Sequence, residues 1–169
     1  MRPSTETLWA NQDQHQGDRL RLFAAVSGLN GVDEIVSRNK TYRQSHLVEF
    51  IADDYRGELG LAEQDFDLLV SLYAGFVSEH CTRYLRVGGH LLVNASHGDA
   101  AMASIDRRYR LAAVIKSGGP NGYRVDVRDL DAYLIPNQPQ ALTADRLHQL
   151  GRGIGYTKSP FAYLFERIS

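Results

Sequence analysis

The chain has 169 residues, 43% of them hydrophobic and 23% charged, with a formal net charge of −1. That length suits one domain with a substantial core, and the composition excludes a disordered chain. A pI near 6.6 leaves no basic field to gather a nucleic acid. The single cysteine, Cys81, excludes an intramolecular disulfide framework and is expected to be a buried thiol. No apolar run is long enough to span a membrane, and the N-terminus lacks the order of a signal peptide. The chain therefore reads as soluble and cytoplasmic.

Residues 1–18 are polar and without period, and are expected to form a flexible tail ahead of a single domain, 19–169. Leu8 and Trp9 are the large apolar residues of that tail. From Arg19 the run RLRLFAAV suits a helix or a strand, and propensity does not decide between them. A breaker cluster, Ser27-Gly28-Leu29-Asn30-Gly31, ends it. A weak element at 32–36 and a basic connection at 37–45 lead to a strand at 47–51, which ends at Ala52-Asp53-Asp54.

The stretch 65–99 is the most informative. Its apolar run 66–72 suits a buried strand. Residues 75–85 place Phe76, Val77, Cys81, Tyr84 and Leu85 near helical spacing, and Gly88-Gly89 is expected to stop that helix. A second strand, 91–93, runs into the polar turn Asn94-Ala95-Ser96-His97-Gly98-Asp99. Strand, helix, strand implies a right-handed parallel β-α-β unit. Beyond it, Asp99 is expected to cap a helical turn at 100–103. Strands at 111–115 and 123–127, joined through a glycine-rich connection, predict a β-hairpin. A strand at 130–135 stopped by Pro136, a helix at 143–150 with Thr143 as N-cap, and an aromatic strand at 161–165 complete the order. The fold class expected is α/β: a Rossmann-like, mostly parallel sheet with helices on both faces and an antiparallel, β-rich C-terminal part.

Residues 47–99 resemble the class I S-adenosylmethionine (SAM)-dependent methyltransferases. In that family a strand with an early aspartate, a helix and a consensus such as L-K-P-G-G precede the next strand. Here Asp67 stands in D-L-L-V-S-L, and Leu85-Arg86-Val87-Gly88-Gly89 occupies the second position, with Val87 in place of proline. The resemblance implies SAM as cofactor and methylation of a small molecule. It places the adenine near Asp53 and Asp54, the acidic residues that end the preceding strand. Ahead of Leu47 the family's glycine-rich turn has no match at the right spacing. That departure motivates the alternative of a truncated, non-catalytic domain acting in ligand binding or self-association, with an exposed sheet edge allowing a homodimer.

Ligands of open α/β sheets bind outside the carboxyl ends of parallel strands. The expected cofactor contacts are therefore Asp53, Asp54, Ser71, Leu72 and Tyr73, and the expected substrate contacts Asn94 and Ser96. His97 is the candidate general base, oriented by Asp99; the plainer alternative is a turn histidine beside a helix-capping aspartate. The six histidines are scattered and give no metal constellation. Gly151-Arg152-Gly153-Ile154-Gly155 follows a helix and precedes a strand, so it reads as a connection and not a phosphate loop. The basic cluster Asp106-Arg107-Arg108-Tyr109-Arg110 reads as a solvated face rather than a nucleic-acid patch.

Overall fold

The structure, a computed structural model, describes residues 7–10, 38, 51, 53–118, 122–138 and 141–169. The expected elements at 19–26 and 32–36, the breaker cluster 27–31 and nearly all of the strand at 47–51 lie outside the described residues; Ile51 itself is not in a strand.

In chain order the elements are β1 (Thr7–Ala10), β2 (Phe66–Ser71), α1 (Val77–Cys81), a 3-10 turn (Thr82–Tyr84) and β3 (Leu85–Val93). There follow α2 (Asp99–Ile105), β4 (Tyr109–Ser117), β5 (Tyr123–Asp126), a second 3-10 turn (Leu130–Tyr133), α3 (Ala144–Leu150) and β6 (Ala162–Arg167). The strands form one sheet in the order β1-β2-β3-β6-β4-β5. From β2 onward, β2–β3 is the parallel pair, while β3–β6, β6–β4 and β4–β5 are antiparallel. The short β1 joins β2 in parallel, so residues 7–10 of the expected tail are a strand.

The Rossmann-like expectation is overturned. The sheet is mixed and mostly antiparallel, and α1, α2 and α3 pack together against one face of it. The helix α1 meets α2, and α2 meets α3. They share one core with Leu69, Leu91, Val93, Val114, Tyr163 and Phe165 of the sheet. The cause is β6, whose alternation sends Tyr163 and Phe165 into that core, opposite Val93 and Leu91 on one side and Val114 and Leu111 on the other. Fully burying two aromatic side chains stabilises by about 1.5–3 kcal/mol each. That makes the slot between β3 and β4 the favourable place for the last strand. The strands β1, β2, β3 and β4 still point one way, with β6 reversed among them.

Three local expectations also change. The first helix ends well before the double glycine. The Thr82 hydroxyl bonds back to the Ser78 carbonyl, which competes with the helical ladder, and the chain leaves through a 3-10 turn. Gly88 and Gly89 instead lie inside β3. There Phe66 faces Leu85 and Leu68 faces His90, so the surplus residues of β3 bulge. Gly88 has φ +79, and a Cβ on Gly89 would lie 2.8 Å from Leu85 Cδ1. Residues 130–133 form a 3-10 turn and not a strand, because Leu130, Tyr133 and Leu134 are spaced to turn one side toward the core.

Other expectations match the fold. The β4–β5 hairpin is present, and α3 runs Ala144–Leu150. The Thr143 hydroxyl accepts from the Arg146 N–H at 3.3 Å, and Gly151 closes the helix with φ 56. Cys81 is buried, and burial pushes its thiol up to about 12. The basic cluster is a solvated face only in part: Arg108 pairs with Asp106 and Arg110 with Glu166, while Tyr109 is buried in the core. Among the described residues no helix is long and apolar enough to cross a membrane.

Candidate functional site

The strands β2 and β3 end side by side at Ser71 and Val93, and the segments that follow them meet at that edge. Asn94 joins the two. Its N–H donates to the Ser71 carbonyl at 3.3 Å, and its Oδ1 accepts from the Tyr73 N–H at 3.1 Å. The same Oδ1 accepts from the Ser96 hydroxyl at 2.7 Å and from the Ser96 N–H at 3.4 Å. Tyr73 is thereby held with φ 58, a conformation unusual for a bulky residue, and its side chain is 55% exposed. Leu72 beside it is half-buried.

This arrangement selects one tautomer for the neutral ring of His97. Ser96 Oγ lies 2.9 Å from His97 Nδ1. The serine has one hydroxyl hydrogen, and Asn94 Oδ1 takes it, because a carbonyl oxygen already receiving N–H groups only accepts. Toward His97 the serine must then accept, so Nδ1 carries the proton of the neutral ring and Nε2 keeps its lone pair. His97 is half-buried, and its base nitrogen is the one left outside this chain of bonds.

Asp99 lies deeper and serves another purpose. It is 1% exposed. One oxygen accepts from the Ser71 hydroxyl. The other accepts from the Ser78 N–H at 3.0 Å and the Ser78 hydroxyl at 2.5 Å. The Val77 N–H also contributes. The carboxyl therefore ties the end of β2 to the first turn of α1, while Gly98, with φ 93, is the N-cap of its own helix α2. Burial is the largest influence on it and raises it to about 6, against the four donors that favour the anion. The partners of Asp99 are Ser71 and Ser78, and the partner of His97 is Ser96.

Asp53 and Asp54 sit in the turn ahead of β2. Asp53 is exposed, and one of its oxygens accepts from the Asp54 N–H at 2.8 Å. Asp54 pairs with Arg56 at 2.7 Å, and the guanidinium holds its carboxyl below the usual range. Thus Ser71, Tyr73, Asn94, Ser96 and His97 come together, and Asp99 sits behind them.

The third wall is a segment whose sequence order implies only a connection. The segment 151–155 does connect α3 to β6, and it also lies against the turn 94–98. The Gly153 N–H donates to the Ser96 carbonyl at 3.1 Å. A Cβ at Gly153 would fall 1.7 Å from the Ala95 carbonyl oxygen, so only glycine fits there. A Cβ at Gly98 would lie 3.1 Å from the Arg152 carbonyl oxygen and 3.2 Å from Phe76 Cε1. Arg152 is exposed at this edge, and its guanidinium has no partner among the described residues. The glycine at every second position was the available signal. Phe76 stacks edge-on with His148 at 5.0 Å, and His148 Nε2 pairs with Glu79 at 2.8 Å. Among the described residues no group of three or more His, Cys, Asp or Glu side chains is placed to hold a metal ion.

A depression of about 320 Å³ lies elsewhere, along β5, lined by Lys116, Arg124, Asp126 and Arg128 among others. The carboxyl edge is the better candidate for chemistry, because unlike that depression it combines a base nitrogen, an exposed ring and convergent backbone. No protein-family model, curated protein or solved structure matches the chain.

Proposed function

We propose that the protein binds S-adenosylmethionine at this edge and transfers its methyl group to a small molecule. The observation that carries the reading is the Asn94–Ser96–His97 chain, which leaves His97 Nε2 as a proton acceptor beside the exposed Tyr73. The resemblance of Asp67 to Ser71 and of Leu85 to Gly89 to the methyltransferase motifs supplies the ligand's identity. In the step proposed, a lone pair of the acceptor attacks the sulfonium methyl carbon. The carbon–sulfur bond breaks with its electrons remaining on sulfur, and the acceptor's proton passes to His97 Nε2. The protein's share is mainly alignment, so the lack of a nucleophile of its own is no obstacle.

Within this reading the exposed Tyr73 stacks on the adenine. Ser71 holds the backbone in place, since its hydroxyl is committed to Asp99. A near-neutral chain offers no field for a polyanionic acceptor, which favours a small molecule. Isothermal titration with SAM tests the reading. Heat with a Kd below about 1 mM is expected, and Asn94→Ala should weaken binding about tenfold, roughly 1.4 kcal/mol. A flat titration at that concentration would sink it.

A further inference from the structure

The strand β5 closes the sheet on the side away from β1, and among the described residues nothing pairs with its outer edge. Its side chains divide cleanly. In the β4–β5 register Val125 lies opposite Ile115 and Tyr123 opposite Ser117, while Arg124 lies opposite Lys116 and Asp126 opposite Val114. Tyr123 and Val125 thus share one face, which Val127 continues just beyond the strand; they are 63%, 67% and 65% exposed. Arg124 and Asp126 share the other. Asp126 is held by Lys116 at 2.6 Å and Arg128 at 3.3 Å, whereas the Arg124 guanidinium has no partner among the described residues.

The backbone phase matters as much as the side chains. The Gly118 N–H donates to the Gly122 carbonyl, which makes 118 and 122 a hydrogen-bonded pair of the antiparallel ladder. By the alternation of such ladders, Arg124 and Asp126 bond inward to β4, and Tyr123, Val125 and Val127 turn their N–H and C=O groups outward. An antiparallel copy centred on Val125 then meets every requirement at once. Val125 faces Val125 of the second chain in a hydrogen-bonded pair, and Tyr123 faces Val127 on both sides. Arg124 faces Asp126 in the closer, non-bonded pairs, where side chains touch best.

We propose that two copies of this chain pair antiparallel through β5, centred on Val125, to form one continuous sheet across a two-fold axis. The sequence YRVDV is self-complementary in that register: apolar meets apolar, and each free arginine meets an aspartate. A second copy is therefore the occupant that the charge pattern selects, and a C2 contact covers the β5 edge of both copies at once. The interface is small, so the dimer is weak and depends on concentration. This inference is independent of the methyl-transfer reading, whose site lies at the ends of β2 and β3.

Sedimentation velocity on the full chain between about 1 µM and 0.1 mM, a range suited to a small interface, tests it. The expected result is a mass rising from one chain of 18.9 kDa toward two. Val125→Pro removes an outward N–H without breaking a bond to β4, as an edge strand tolerates, and should leave a monomer throughout, with an unchanged circular dichroism spectrum. A charge exchange supplies the specific readout. Arg124→Asp and Asp126→Arg should each abolish self-association, and mixing the two variants should restore a dimer containing one of each. A monomeric wild type at the highest concentration overturns the proposal, as does a dimer unaffected by Val125→Pro or by the charge exchange.

Discussion

Asp99 and His97 sit two residues apart and do different work, and the difference follows from what each side chain can reach. Asp99 is enclosed by Ser71, Val77 and Ser78, whereas His97 stays at the surface with a defined tautomer. The buried carboxyl has a folded value near 6 against 3.8 when unfolded, so the folded protein holds that proton more tightly. Its contribution is fully present below pH 3.8 and is lost as the pH rises through about 6. The loss is on the order of 3 kcal/mol across that window. Asp99→Asn keeps an acceptor for Ser78 and cannot ionise. Urea unfolding of the two proteins at pH 4 and pH 7 should show the wild type losing more stability than the variant between those values. Equal pH dependence would mean that Asp99 does not titrate in the folded state.

At the scale of elements, the local signals that worked were those of chain ends. Thr143 and Gly151 bound α3 as their side-chain chemistry requires, and the hairpin arms pair as alternation demands. The signals that misled were those with two structural uses. A double glycine suits a helix end or a strand bulge, and the early exit of α1 at Thr82 decided for the bulge. The segment 151–155 is both a connection and a wall, because Gly153 allows its backbone to touch the turn 94–98. Gly153→Ala tests that second use. Its Cβ cannot share space with the Ala95 carbonyl, so the segment must move. A loss of more than about 2 kcal/mol of stability is expected by chemical denaturation, together with lost SAM binding. Wild-type behaviour on both counts would mean that the wall is dispensable.

For the whole molecule, the placement of β6 governs the rest. It is bonded on both sides, by β3 and by β4, and carries two of the largest buried side chains. Amide hydrogen exchange should therefore be slowest in 162–167 and fast in β5, which is bonded on one side. The reverse order would place the stable unit elsewhere. The same placement leaves β5 as an edge, which is what makes the self-pairing of two chains available.

The sequence by itself determined the β2–β3 parallel unit, the hairpin, α3, the burial of Cys81 and the gathering of Ser71, Tyr73, Asn94, Ser96 and His97 at one edge. Each of these depends on neighbours within a few residues or on adjacent strands, where periodicity and end chemistry suffice. Only the tertiary structure decided that β6 enters antiparallel between β3 and β4, that the helices share one face, and that Asp99 bonds Ser71 and Ser78 across 28 and 21 residues. Those outcomes depend on which distant apolar faces fit together, and on which buried donors remain for a carboxyl once they do. No local pattern carries that information.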